Sequence, residues 1–333
     1  MSHLLHLTLI SRSATLKRGF AVLIRFALKK IMVRSEWAEE LLVRLLIVVV
    51  TILLTACHAT PPLPSWQSPV GLGHADLGVI IDLRNGERIP ATRLVDELAV
   101  ADRLLIGERH DNPDHHSLQL WLLQAMAQRR EQGSLLLEML NPDQLLAVEQ
   151  VKASIKSGRW PSDLPAELKW QDGWSWEQYG PVVEYALGRP YPLLPANLDR
   201  AEIQAIYRDV PALTGAAAQE SVQEPLLEQI RVSHCGMLPE AQLPAMLAVQ
   251  QQRDRRMAEQ LDAAAKPAVL LAGAFHVRRD LGVPLHLINE GRAAGVKVLI
   301  LAEVGETLRE GQADYVWFTP AQPQKDHCAA FRQ

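Results

Sequence analysis

Cysteine is scarce in this chain, with three among 333 residues, at positions 57, 235 and 328. Cys235 and Cys328 lie far apart, one of them in a terminal tail. They give no framework spacing and are read as separate free thiols. A positive charge excess is also missing. Eight Lys or Arg and three Glu precede Cys57, so of 34 basic and 38 acidic residues 26 and 35 lie beyond position 56, a formal charge of about −9. So acidic a body excludes nucleic acid as an expected partner. There is no Gly-x-Ser-x-Gly elbow, which removes serine-nucleophile machinery. No histidine pair one helical turn apart marks a zincin. Internal repeats and low-complexity tracts are absent too, so the chain is not a repeat array. What is present is 48% apolar residues over 333 positions, ample for one core plus appendages.

The N-terminal region is the most legible. In "LLVRLLIVVVTILLTAC" Arg44 precedes an apolar segment too short for a span of about 20 residues, ending in small residues before Cys57. That pattern reads as a secretory signal covering residues 1–56, with Met32 as the expected start. Leu54-Thr55-Ala56-Cys57 resembles a bacterial lipobox, in which the cysteine is lipidated and acylated after the leader is removed. At roughly 0.8 kcal/mol per buried methylene, two or three palmitate-like chains make a lasting anchor. A signal-anchor helix is the alternative, disfavoured because the Pro-rich "HATPPLPSWQSP" follows at once and reads as a tether over residues 57–75. His58, rather than Asp, follows the cysteine. By resemblance to lipoprotein sorting rules this implies the outer membrane, facing the periplasm or the surface.

Beyond the tether, apolar runs alternate with helical patterns. Strands are expected at 77–83, 103–108, 134–140, 191–195, 268–276 and 296–304. Helices are expected around 92–101, 113–130, 142–158, 221–233 and 239–264, and over "PLHLINEGRAAG". This alternation predicts an α/β domain over residues 76–320, a mostly parallel sheet covered by helices, with a helical Trp-rich inserted subregion and a tail at 321–333. Asp111 or Asn112 fits a helix N-cap, Pro113 the first turn, and Asp114 the positive end of the dipole. Glu108, Arg109 and His110 therefore sit at the carboxyl end of a strand, the edge where open parallel sheets bind ligands. Glu138, Asn197, Asp199 and His276 follow other strands and converge on the same rim. His115 and His116 are adjacent on a helix and cannot face one way, so at least one is expected to serve packing or solvent.

These residues carry a resemblance. "LLIGERHDNPDHH", "LLLEML", "SHCGMLP", "QQQRDRRMAEQL", "LLAGAFHVRRDLGVP" and "ADYVWFTP" together resemble the ChaN-type haem-binding lipoproteins of the haem-uptake and Tiki superfamily, over about residues 75–320. One departure is visible: the family's Gly-Asn-Gly-His loop is Gly273-Ala274-Phe275-His276 here. The resemblance implies haem held reversibly in iron uptake, with a haem receptor or a homo-oligomer as partner. Covalent c-type attachment is excluded, because no Cys-x-x-Cys-His occurs. A haem site needs an apolar slot, an axial ligand and cations for the propionates. The segment holding Trp160, Trp170, Trp174 and Trp176 offers either such a slot or a packed aromatic cluster. Tyr179 and His234 are the axial candidates, and Arg109 and Arg278 the propionate partners. Glu108, His110 and His276 complete the haem-binding set. The alternative is an enzyme of the esterase-like or Tiki-like type, in which Glu108, His110, Glu138 and His276 activate water or hold a divalent metal for hydrolysis.

Overall fold

The computed structural model of the chain describes residues 41, 43–45, 60–289, 291–324 and 328. Met32, Cys57 and His58, on which the signal and lipobox readings rest, lie outside the described residues. The chain divides into two units, Met1–Ala59 and Thr60–Gln333, and the sheet belongs to the second.

In chain order its elements are β1 (Ile80–Asp82), β2 (Glu87–Arg88), α1 (Ala91–Ala99), β3 (Arg103–Glu108), α2 (Pro113–Met126), β4 (Ser134–Leu137), α3 (Leu145–Lys156), α4 (Leu164–Glu167), α5 (Trp176–Leu187) and β5 (Leu193–Pro195). They continue with α6 (Arg200–Arg208), α7 (Glu220–Ser233), α8 (Leu243–Ala263), β6 (Ala268–Gly273), α9 (Ala274–Val277), α10 (Val283–Asn289), β7 (Val296–Glu303) and β8 (Tyr315–Thr319). The strands form one sheet in the order β2-β1-β8-β7-β3-β6-β4-β5. Pairing is parallel from β8 to β5, and only β1 runs antiparallel to its neighbours β2 and β8.

Central parallel strands are covered on both faces and need apolar residues at every position. Accordingly Leu104-Leu105-Ile106 in β3 and Val269–Ala272 in β6 are fully buried. Leu104 and Ile106 join one core with Leu118 and Leu122 of α2 and Val182 of α5. Leu105 points to the other, shared with Met257 and Leu261 of α8 and Leu287 of α10. The result is three layers, helix on sheet on helix. Asn112 is the N-cap of α2, its side chain accepting the Asp114 N–H at 3.0 Å, with Pro113 in the first turn. The Trp-rich segment lies between β4 and β5 and packs on the main core, whereas the helices after β5 build a small cluster of their own around Leu226, Ile230, Leu243 and Leu247.

Two findings differ from the sequence reading. Cys235 and Cys328 are not free thiols: they form a disulfide, with Cα atoms 5.5 Å apart. Folding brings Cys328 to the turn between α7 and α8, where Cys235 adopts a positive φ of 61°, a closure that a separation of 93 residues hides. From Thr60 onward the Pro-rich segment lies against the domain: Trp121 donates to the Pro61 carbonyl at 2.8 Å, and Asp114 accepts the N–H groups of Gln67 and Ser68 at 2.7 and 2.9 Å.

Candidate functional site

The register decides the site. Glu108 ends β3 opposite Gly273, which ends β6, and β4 pairs with the other edge of β6 so that Glu138 follows one strand over. Gly107 permits this closeness, because a Cβ there would stand 2.4 Å from Val277 Cγ2 and 3.0 Å from Ala274 Cα. The short α9 can therefore sit directly on the strand ends and carry His276 into the rim.

His276 is buried between two carboxylates. Its Nδ1 lies 2.5 Å from Asp254 Oδ1 of α8, and its Nε2 lies 3.3 Å from Glu138 Oε1. Burial opposes charge on the imidazole, yet the two acids outweigh it and raise the pKa to about 10. Burial likewise disfavours a charged Glu138. His276, His110 and the Gly273 N–H, which donates to Oε2 at 2.7 Å, nevertheless hold it well below the usual carboxylate range. Asp254 is pushed up to about 6 by burial, against the pull of His276.

Glu108 anchors a second group. Its Oε1 accepts from Tyr179 Oη and from His110 Nδ1, both at 2.7 Å, and its Oε2 lies 3.5 Å from His116 Nε2. Burial opposes protonation of His110, but the hydrogen bond and charge of Glu108 raise its pKa overall. His110 is the exposed member, its side chain 46% accessible. Trp174 meets the ring edge-on at 4.9 Å, and Gly273 leaves room for it, since a Cβ there would lie 3.1 Å from Nε2. Nδ1 is held by Glu108, and Nε2, close beside Gly273, has no hydrogen-bond partner among the described residues.

Glu108, His110, Glu138, Tyr179 and His276 are thus brought together, as one cluster at the ends of three adjacent strands. Tyr179 lies behind Glu108, 2% exposed. Burial first, and then the Glu108 charge, push its phenol far above the ordinary range, so it offers its proton inward rather than a phenolate outward. His234 stands apart as the C-cap of α7, with Nδ1 bonded to the Ile230 carbonyl at 2.8 Å. Arg109 lies at the rim, already matched by Glu303 at 3.0 Å and Glu306 at 3.3 Å. Arg278 pairs with Asp280 at 2.6 Å and stands over the Phe275 ring. Asn197 supports the rim by donating to the Glu138 carbonyl, and Asp199 is spent capping α6. Both His115 and His116 are buried. His115 bridges the Arg109 N–H and Thr319 Oγ1, and burial drives its pKa well down. Trp170, Trp174 and Trp176 pack on one another and on Tyr179, with Trp170–Trp176 at 5.1 Å and Trp174–Tyr179 at 5.7 Å, whereas Trp160 is exposed. The first three form a packed aromatic cluster beside the rim.

Sequence reasoning missed Asp254 and His116. Asp254 sits in "RDRR", a run that reads as a solvated helix face, yet it is fully buried. Among the described residues no group of three or more His, Cys, Asp and Glu is arranged to hold a metal ion, the histidines and acids here being bonded to each other.

A parallel-sheet α/β protein with paired carboxylates and histidines at the strand ends is the class defined by this fold and rim. The chain belongs to the haem-binding uptake, Tiki superfamily, ChaN family, whose model matches residues 94–287. Among solved structures it is similar to a ChaN of Campylobacter jejuni described for cofacial haem binding. That match has 28% identity and a TM-score of 0.67, and it covers 76% of this chain and 98% of that one. An erythromycin esterase mutant in its open conformation matches at 13% identity and a TM-score of 0.41, over 79% of this chain and 85% of its own. A MARTX toxin effector domain from Vibrio vulnificus matches at 15% and 0.38, over 72% and 40%. No curated protein matches significantly.

Proposed function

We propose that this protein binds haem reversibly at the strand-end rim and serves haem and iron uptake as a lipid-anchored protein of the outer membrane. The observation that carries the reading is His110. A metal-ligating histidine characteristically donates its second ring nitrogen to a carboxylate, which orients the ring and raises its basicity. His110 has that arrangement, with Glu108 behind Nδ1, the ring beside Trp174, and Nε2 without a hydrogen-bond partner among the described residues. The structure thus favours His110 as the axial ligand over Tyr179, whose hydroxyl faces inward, and over His234, which caps a helix. The Campylobacter relative binds haem cofacially, and an open rim is compatible with a face-on mode. Arg109 would meet a propionate only in exchange for its own acids. Cys57 would carry the lipid, and the Cys235–Cys328 bond supports an oxidising compartment outside the cytoplasm. A haem receptor or a second copy of the chain is the expected partner.

The test is a haem titration of the chain beginning after Cys57, followed by Soret absorption. Saturable binding is expected, with affinity falling at least about tenfold in His110→Ala, the loss of one coordinating bond. A flat Soret region in the unmodified chain would overturn the proposal. A second reading, hydrolysis, rests on His276 held between buried Glu138 and Asp254, an acid–base arrangement more elaborate than binding requires. It predicts ester or peptide turnover that Glu138→Gln abolishes while the haem spectrum stays unchanged.

A further inference from the structure

Helix α8 serves two sides. Asp254 faces His276, while Gln251 and Arg255 line a separate cleft with Leu213 and Thr214 of the preceding loop and His286 of α10. The cleft encloses about 180 Å³. One water needs only roughly 10–15 Å³, and drug-sized ligands occupy about 300–1,000 Å³, so the space suits a small molecule. Its walls are unfinished. Gln251 is 1% exposed, yet neither its Nε2 nor its Oε1 has a hydrogen-bond partner, and the buried Nε2 of His286 has none either. Native chains rarely leave buried donors and acceptors unmatched, and here three such atoms belong to two residues lining one cleft. Burial, and then the nearby Arg255, lower the His286 pKa to about 4, so its ring is neutral near pH 7. Arg255 supplies the charge among the lining residues; its Nε is engaged by Glu259 at 2.9 Å.

We propose that this cleft binds a small carboxylate bearing an α-hydroxyl or α-amino group. Arg255 and the Thr214 hydroxyl at the mouth take the carboxylate. Gln251 and His286 take the second polar group, Gln251 offering one donor and one acceptor to a ligand that carries both. The site is independent of the haem rim, because none of these four residues contacts Glu108, His110, Glu138 or His276 through a hydrogen bond or ion pair.

Calorimetric titration of the full chain with L-lactate, L-alanine and L-serine, each against its neutral carboxamide, tests the assignment. At least one carboxylate should bind saturably and more tightly than its amide. Binding should weaken roughly tenfold or more in Arg255→Gln, the loss of one charge-assisted hydrogen bond, and disappear in Gln251→Leu. Haem titration of Arg255→Gln should match the unmodified chain. The proposal is overturned if no carboxylate binds saturably, if Arg255→Gln and Thr214→Val both bind as the unmodified chain does, or if Gln251→Leu folds with binding intact. Should Gln251→Leu fail to fold, the two exposed variants decide the matter alone.

Discussion

Alkaline pH should destabilise this protein chiefly through His276, and the size of the effect follows from its two neighbours. An unfolded histidine titrates near 6.5. In the folded chain burial works against the charge, but Glu138 and Asp254 outweigh it and lift the pKa to about 10. Between these two values the folded state keeps a proton that the unfolded chain has released. The stabilisation is therefore complete below about pH 6.5 and is lost as pH rises through 10. The loss runs at about 1 kcal/mol or slightly more per pH unit, on the order of 4 kcal/mol over the window. That is a large share of the roughly 5–15 kcal/mol that holds a typical domain together. Asp254, raised to about 6 by burial, acts in a different window. Its folded state favours the protonated form, so its contribution is present below an unfolded carboxyl pKa near 4 and is gone above about 6. Urea unfolding followed by tryptophan fluorescence, in unit steps from about pH 6 to pH 10, measures the slope. His276→Gln should flatten most of it, leaving the smaller contributions of His110, which Glu108 also holds protonated, and of the buried tyrosines. Equal slopes in the two chains would refute the assignment of the proton to His276.

Three further outcomes are expected. Gly273→Ala places a Cβ 3.0 Å from His110 Cε1 and 3.1 Å from its Nε2, so haem affinity should fall about tenfold while the thermal midpoint moves little, by the cost of one displaced ring. Tyr179→Phe strips a donor from buried Glu108 and should cost about 1–3 kcal/mol in chemical denaturation. The Soret position should stay unchanged if His110 meets the iron, and a lost or shifted band would transfer that role to Tyr179. Replacing Cys235 and Cys328 by serine opens a loop of 93 residues and should remove up to about 4–5 kcal/mol on the chain-entropy account. The variant should then unfold identically with and without reductant, unlike the unmodified chain.

Much of the architecture was legible because buried parallel strands advertise themselves. β3 begins and ends where the run "RLLIGE" does, and Asn112-Pro113 marks the start of α2 as capping chemistry requires. β8 was not foreseen as a strand, although "YVWFT" is rich in β-branched and aromatic residues and wholly buried. It lies between β1, more than 200 residues earlier, and β7, the strand just before it, and the connection from β7 carries no helix, so strand–helix alternation does not announce it. The rim could be anticipated for Glu108, His110, Glu138 and His276, since each interrupts an apolar strand end where a charge needs a partner. The roles of Arg278 and His234 could not, because what decides them is a neighbour in space: Asp280 holds the one, and the Ile230 carbonyl the other.

The sequence by itself determined an α/β sheet with chemistry at its carboxyl edge, because apolar periodicity and turn residues act locally and are written in order along the chain. Only the tertiary structure decided which histidine is held by which acid. Asp254 reaches His276 from a helix whose charged run looks solvated, and Glu108 holds both the His110 ring and the Tyr179 hydroxyl. The Asp254–His276 and Glu108–Tyr179 pairings join residues 22 and 71 positions apart at 2.5 and 2.7 Å, and such contacts are set by packing and register, not by neighbouring letters.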